Sequence, residues 1–467
     1  MPSLASRKKS QRVWLFAFVL SVFAFLLRWY YVSTAMVADP IQGDAVEYYS
    51  YAWNLVHHHV FSIAPPTTLT ANPDSYRSPG YPVFLASLML LTDRQDLWYA
   101  LVLMSQAALG GIVAGLIFAL ARLWLPLGWS LLAGIIVAVW PHNVTACSYL
   151  LSETLFSACA TAALLIYGLA LVHERKLTTV AAGFVLGLAI LVNSVLWPLT
   201  ILLPLVAMFR SNVSKRLLLV FACSAIALPL TWQIRSWTVD DVSGKSSSDR
   251  VVRNLVQGSW PFFLQAWRAS YFGDADAHRV LDEVENERLL VVADPIAGYT
   301  AIAKRMSAAP FRYLLWYAIQ KPAALWSWNI LIGEGDIYVF PAAESPFKTQ
   351  PLLRAIVAAC KGINPVIGLF AMAVAVTTLL RKRDLRQADQ RRRAVLFAIS
   401  LSVIYVTAVH AVLQAEPRYS VPYRPLEIVL AVTAMAWMWE RWLAMRHRAI
   451  LSESEGRPNE SAAKKPA

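Results

Sequence analysis

The sequence predicts an all-α, multi-pass membrane protein of about ten or more spans, with interfacial helices and a small helical subdomain on one face. Three observations carry this. The 467 residues are 57% hydrophobic and only 15% charged, with mean hydropathy +0.48, too little charge to cover a soluble surface of that size. Several apolar runs reach the roughly 20 residues that cross about 30 Å of hydrocarbon. The cations cluster in the short links between those runs, where topology signals lie.

Taken in order, the apolar runs predict spans near 13–33, 97–121, 127–144, 151–172, 177–192, 194–209, 216–235, 355–380, 394–413 and 423–442. The first follows Arg7, Lys8, Lys9 and Arg12, and is too long for a cleaved signal peptide, so it reads as a retained span. Tyr81–Leu91 is too short to cross and reads as an interfacial helix. Asn193 and Pro198 interrupt the 177–209 region. With a cytoplasmic N-terminus, Arg122, Arg175, Lys176, Arg210, Lys215, Arg216, Arg381–Arg383, Arg391–Arg393, Arg441, Arg446 and Arg448 all fall on one side. That places both termini in the cytoplasm.

The resulting organisation is a basic cytoplasmic stretch at 1–12, a membrane core at 13–235 with an outer loop at 34–96, an outer segment at 236–354, C-terminal spans at 355–442 and a tail at 443–467. The outer segment holds Trp260, Phe262, Phe263, Trp267, Trp326 and Trp328, and reads as helices resting on the membrane. From Ser452 the polar composition predicts disorder. Net charge +13 does not imply nucleic acid, because the cations form no continuous face. Cys147, Cys159, Cys223 and Cys360 lie in or beside apolar segments and suggest neither a disulfide framework nor a metal spacing.

Chemistry-bearing residues gather on the face opposite the cations. Gly43-Asp44-Ala45-Val46-Glu47 opens a helix whose Val46, Tyr49, Trp53, Val56 and Val60 recur at helical spacing. Asp44 at its N-terminus is a candidate proton acceptor, while Asp44-x-x-Glu47 is also the pattern of a capping box. Glu47 fits the cap better than a second catalytic role. Arg77-Ser78-Pro79-Gly80-Tyr81-Pro82 encodes a rigid turn that holds Arg77 in one direction, suited to a phosphate or a lipid headgroup. Ser152-Glu153 opens a span, Trp232-x-x-Arg235 closes another, and Arg418-Tyr419 lies between the last two. An acid at the bilayer boundary needs a partner, and these arginines either supply one or snorkel. Consecutive His57, His58 and His59 point to different sides of a helix and make a poor metal cluster. Asn143-Val144-Thr145 matches a glycosylation acceptor too close to the membrane for use.

In this order, these motifs resemble the bacterial branch of glycosyltransferase family 39, which includes the aminoarabinose lipid A transferases and relatives of the protein O-mannosyltransferases. Gly183-x-x-x-Gly187-Leu188 and Pro310 with Tyr313 belong to the same pattern, and the resemblance covers roughly 13–442. It implies the C-type glycosyltransferase helical bundle, with the active site on the outer face of a bacterial inner membrane. It also implies a polyprenyl-phosphate sugar as donor and a lipid, glycan or protein hydroxyl as acceptor. By position, Asp44 matches the general base, Arg77, Arg235 and Arg418 match donor-phosphate cations, and Glu153 with Glu47 match cavity or metal-facing acids. The chain departs from the pattern at Asn193-Ser194, where the family often shows an arginine, and at Ala45, where a second acid would follow Asp44. Both leave the donor sugar and any divalent metal open. No nucleotide cofactor is expected, since no Gly-rich phosphate loop is present. A transporter or flippase of lipid-linked sugars is the main alternative, and would call for ionisable groups near mid-membrane and paired repeats; no internal repeat is evident. A membrane scaffold is a third reading.

Overall fold

A computed structural model describes residues 4–210, 212–239, 246–380 and 387–455. The chain is almost wholly helical. In order, the helices are α1 (Leu4–Thr34), α2 (Asp44–His57), α3 (Gly80–Met89), α4 (Gln95–Ala121), α5 (Leu127–Val139), α6 (Pro141–Thr145), α7 (Glu153–His173), α8 (Lys176–Val192), α9 (Leu199–Arg210) and α10 (Lys215–Thr238). The outer segment contributes α11 (Ser247–Ser259), α12 (Phe263–Tyr271), α13 (Ala275–Ala293), α14 (Pro295–Ser307), α15 (Pro310–Leu315), α16 (Lys321–Leu325) and α17 (Pro346–Thr349). The last spans are α18 (Pro351–Leu380), α19 (Gln387–Val412) and α21 (Arg424–Glu455), with the short α20 (Pro417–Ser420) before α21. Strand β1 (Met36–Val37) pairs antiparallel with β2 (Ala342–Glu344), tying the exit of α1 to the outer segment.

Among the described residues, seven helical stretches are long and apolar enough to cross a membrane, or eight if α5 and the α6 region, bent by 53°, form one broken span. The protein is a multi-pass membrane protein. The expected spans at 177–192 and 194–209 correspond to α8, with 17 residues, and α9, with 12, both shorter than the seven long stretches; Asn193 follows α8, and its side chain accepts from the Val195 amide. The polar break between them satisfies its own backbone, so neither helix extends through it. The disorder expected from Ser452 is corrected for residues 452–455, which belong to α21; residues 456–467 and the basic cluster at 381–383 lie outside the described residues.

Glycines set how closely the spans pack. α1 runs along α4, and a Cβ at Gly115 would lie 2.1 Å from Ser21 Oγ and 2.5 Å from Ala17 O. A Cβ at Gly183 would lie 2.5 Å from the Phe221 carbonyl oxygen and one at Gly187 3.0 Å from that of Ala225, so the Gly-x-x-x-Gly motif joins α8 to α10. Such small-residue seams let backbones approach where lipid offers no hydrophobic drive between helices. α7 packs against α4 and α8, and α18 against α21.

Helices α11 to α14 enclose their own small core of Val256, Phe263, Leu264, Val284, Val291 and Ile302. A buried lysine fastens them to the membrane bundle. Lys321 Nζ donates to the carbonyls of Gly258 (2.8 Å), Val412 (3.3 Å) and Leu413, thereby joining the end of α11 to the exit of α19. Three carbonyls match the three ammonium protons. Replacing the lysine, Lys321→Met, takes this donor from the Val412 and Leu413 carbonyls, while Gly258 keeps the Trp316 indole N–H; the cost is about 1–3 kcal/mol. We expect a lower unfolding temperature in detergent and faster proteolysis within α11–α14. Wild-type melting and cleavage would refute the anchoring role.

Candidate functional site

The first loop builds the site from backbone upward. Gly43 adopts φ +54°, a conformation open to glycine, and turns the chain into α2. Asp44 is then the first helical residue, and Gly43 carries no side-chain cap. The capping-box expectation for Glu47 is therefore corrected: its carboxylate accepts from Arg77 Nε instead of a backbone amide. The face of α2 buried within the protein carries other residues than the Val46 stripe. Tyr48, Tyr51 and Ala52 are buried and Val46 is 45% exposed, because Tyr48 packs edge-on against Tyr81 and Tyr51 stacks on Phe61.

Arg77 is held as its turn sequence suggests. A Cβ at Gly80 would fall 2.7 Å from the Val192 amide nitrogen, so only glycine lets α3 abut the end of α8. The buried carboxylate of Asp74 accepts from Tyr51 Oη, Ile63 N (2.7 Å) and Tyr76 N (3.1 Å), fixing the loop just ahead of Arg77. The Arg77 guanidinium lies 5.0 Å from the Tyr48 ring.

Four sequence-distant residues then meet. Arg77 Nη2 donates to Asp44 Oδ1 at 2.6 Å, and Arg418 Nη2 pairs with Asp44 Oδ2 at 2.8 Å. Arg418 Nε donates to Glu153 Oε1 at 2.6 Å. With Glu47, the result is a chain Glu47–Arg77–Asp44–Arg418–Glu153 in which three carboxylates face two guanidiniums. The arginine side chains are 11% and 9% exposed and Asp44 32%, so the chain opens outward at the aspartate.

Burial would raise the Asp44 carboxyl, but Arg77 and Arg418 outweigh it and hold it well below the usual carboxylate range. Burial likewise opposes the Arg77 charge, and Asp44, Tyr48 and Glu47 more than restore it. Glu416, two residues before Arg418, is fully buried and accepts from the Leu331 (2.8 Å) and Ile332 (3.4 Å) amides. Burial pushes its carboxyl up to about 7 against those donors.

Arg235 stands apart. It donates to the Asp74 carbonyl and lies 4.9 Å from the Trp232 ring, bracing the first loop from outside, with no carboxylate side chain paired to it among the described residues. His57 stacks on Trp53 at 3.8 Å. Among the described residues, no group of three or more His, Cys, Asp or Glu side chains is placed to hold a metal, and both Asp44 oxygens are taken by guanidinium. Asn143 donates to the Val421 carbonyl at 2.9 Å, inside the protein. Sequence reasoning missed Asp74, Lys321, Glu416 and the buried Arg424–Glu427 pair at 2.9 Å; Asp74 had one local signal, a lone acid in a Pro- and Asn-rich loop.

No family model matches the sequence, and no curated protein matches it. Solved structures are similar in shape. The archaeal oligosaccharyltransferase AglB from Archaeoglobus fulgidus, in complex with an inhibitory peptide and a dolichol-phosphate, aligns at 14% identity and TM-score 0.46 over 97% of this chain and 53% of that one. ArnT from Cupriavidus metallidurans in the apo state aligns at 14% identity and TM-score 0.45 over 94% of this chain and 62% of that one. The chain thus spans about half the length of the oligosaccharyltransferase.

The charge pattern makes a pH prediction. An aspartate whose pKa is depressed on folding adds stability above its ordinary value, 3.8, and loses that contribution as pH falls below it. Asp44→Asn should therefore melt below wild type between about pH 5 and 7, with the gap closing below about pH 4. A gap constant from pH 3 to 7 in detergent melting curves would contradict the ion-paired state of Asp44.

Proposed function

We propose that the protein is an integral-membrane glycosyltransferase that moves a sugar from a polyprenyl-phosphate donor to a hydroxyl of a lipid, glycan or protein on the outer face of a bacterial inner membrane. The observation that carries this reading is the convergence of Arg77 and Arg418 on one partly open carboxylate, Asp44, at one end of the bundle. Guanidinium groups are suited to phosphate oxygens, and an aspartate between them is suited to take a proton from an incoming hydroxyl. The motif order that resembles glycosyltransferase family 39 supports the same assignment.

In this mechanism the acceptor oxygen attacks the anomeric carbon while the bond from that carbon to the phosphate oxygen breaks. The electron pair leaves with the polyprenyl phosphate, and the hydroxyl proton passes to Asp44. Arg77 and Arg418 neutralise the leaving phosphate. The resting ion chain adds an ordering argument. Asp44 is a poor base while both guanidiniums grip it, whereas each guanidinium keeps a second carboxylate, Glu47 or Glu153. A donor phosphate that draws either arginine away from Asp44 raises its basicity. The base is thus armed by donor binding. Arg235 has a supporting part, holding the loop that carries Arg77. Transport of a lipid-linked sugar is less well supported, because these acids gather at the bundle's end.

Deleting the protein should remove a sugar of defined mass from envelope glycolipids or glycoproteins, read by mass spectrometry. Complementation with Asp44→Asn should insert normally yet restore less than about 1% of the product, in line with loss of a general base. Full restoration would defeat the role of Asp44. An accumulating lipid-linked sugar with no missing product would point to transport.

A further inference from the structure

Arg28 lies within the first span and is wholly buried. It fits only because residue 110 is glycine, where a Cβ would stand 2.7 Å from Arg28 Nε. Its terminal nitrogens donate to the carbonyls of Ala24 (3.0 Å), Ala138 (2.8 Å) and Val137 (3.3 Å). The latter two belong to the C-terminal end of α5, freed where the chain bends, so the cation also meets the negative end of a helix dipole. Arg28 Nε has no nitrogen or oxygen partner among the described residues, the Cys147 thiol being the polar side chain beside the guanidinium.

Three other residues around the same small cavity share that condition: Asn143 Oδ1, Glu153 Oε2 and Ser157 Oγ are buried and unpartnered among the described residues. The remaining atoms of each fix which one is free. Asn143 spends its amide nitrogen on the Val421 carbonyl. Glu153 spends Oε1 on Arg418. Ser157 forgoes the usual bond back to its own helix. The cavity is about 10 Å³, the least that admits one water.

We propose that this cavity is the binding site of a single ordered water, which accepts from Arg28 Nε and Ser157 Oγ and donates to Asn143 Oδ1 and Glu153 Oε2. Two donors and two acceptors match the four bonds of one water. A cation would face the guanidinium, and an anion would face the Glu153 carboxylate and an amide oxygen, so a neutral ligand with both roles is selected. The water links the first span to Glu153 and through it to Arg418 and Asp44. Arg28 and Ser157 are then positioning residues; their effect on catalysis, unlike the water itself, rests on the function proposed above.

A high-resolution cryo-EM map of the full chain in lipid nanodiscs should show density about 2.7–3.0 Å from all four atoms. Ser157→Val removes the hydroxyl and fills the space; the density should vanish, and sugar transfer should slow about tenfold with donor KM within about twofold. Ser157→Ala keeps three partners and should slow transfer about two- to threefold. The water site is overturned by an empty cavity in a map that resolves other buried waters, or by contacts near 2.0–2.4 Å, which would mark a bound metal cation. Unchanged turnover and an unchanged Glu153–Arg418 pair in Ser157→Val would overturn the positioning role. Absence of transfer in the wild type would instead count against the proposed function, with the density still deciding the water.

Discussion

The site depends on one residue serving two masters: Arg418 holds Asp44 from the first loop and Glu153 from the start of α7. Glu153 and Arg418 open helical stretches long and apolar enough to cross a membrane, where an unpaired charge is costly. One guanidinium with its five donors can satisfy both acids only if three distant parts of the chain arrive within a few ångströms. The backbone devices nearby have that arrival as their consequence. Gly43 turns the chain so that Asp44 begins α2, and Gly80 lets α3 abut α8 so that Arg77 reaches the other Asp44 oxygen.

The arrangement leaves one carboxylate in excess of the guanidiniums, with Asp44 the most exposed of the five groups. A buried chain of alternating charge is rigid when complete, because every displacement strands a charge. Its exposed members are Asp44, in the middle, and Glu47, at one end, while Glu153 lies 11% exposed behind Arg418. In the proposed reaction an incoming phosphate would therefore meet Asp44, where both arginines can be shared, before Glu153.

Much of this was legible in the sequence, and the limit is physical. Long spans such as α4, α7 and α10 announce themselves through continuous apolar runs. The residues Asp44, Arg77, Glu153 and Arg418 were identifiable because the alternation of spans brings them to one end, whatever their separation along the chain. Pairing was not legible. Nothing local distinguishes Glu47 as a partner of Arg77 from Glu47 as a helix cap, and nothing marks Arg235 as a brace on the first loop instead of a member of the ion chain. The end of α8 was legible, because Asn193 interrupts the apolar run and its side chain closes the turn there. Arg28 and Lys321 were invisible: their main partners are backbone carbonyls, which every sequence offers at every position.

That difference in partners also separates cations by what they can do. Arg28 and Lys321 are held by carbonyls of α5, α11 and α19, which belong to helix ends that cannot leave. Removing such a cation exposes fixed acceptors, so the groups serve the architecture. Arg77 and Arg418 are held by side-chain carboxylates, which can rotate and for which a phosphate is a direct competitor. Arg424 falls between, bound to the Trp326 and Ser327 carbonyls and to Glu427, with no exposed surface. Within the five-membered ion chain, exchangeable partners and exposure coincide at Asp44 and Glu47. On the function proposed above, Arg77 and Arg418 are therefore the cations suited to exchange an acid for a substrate phosphate.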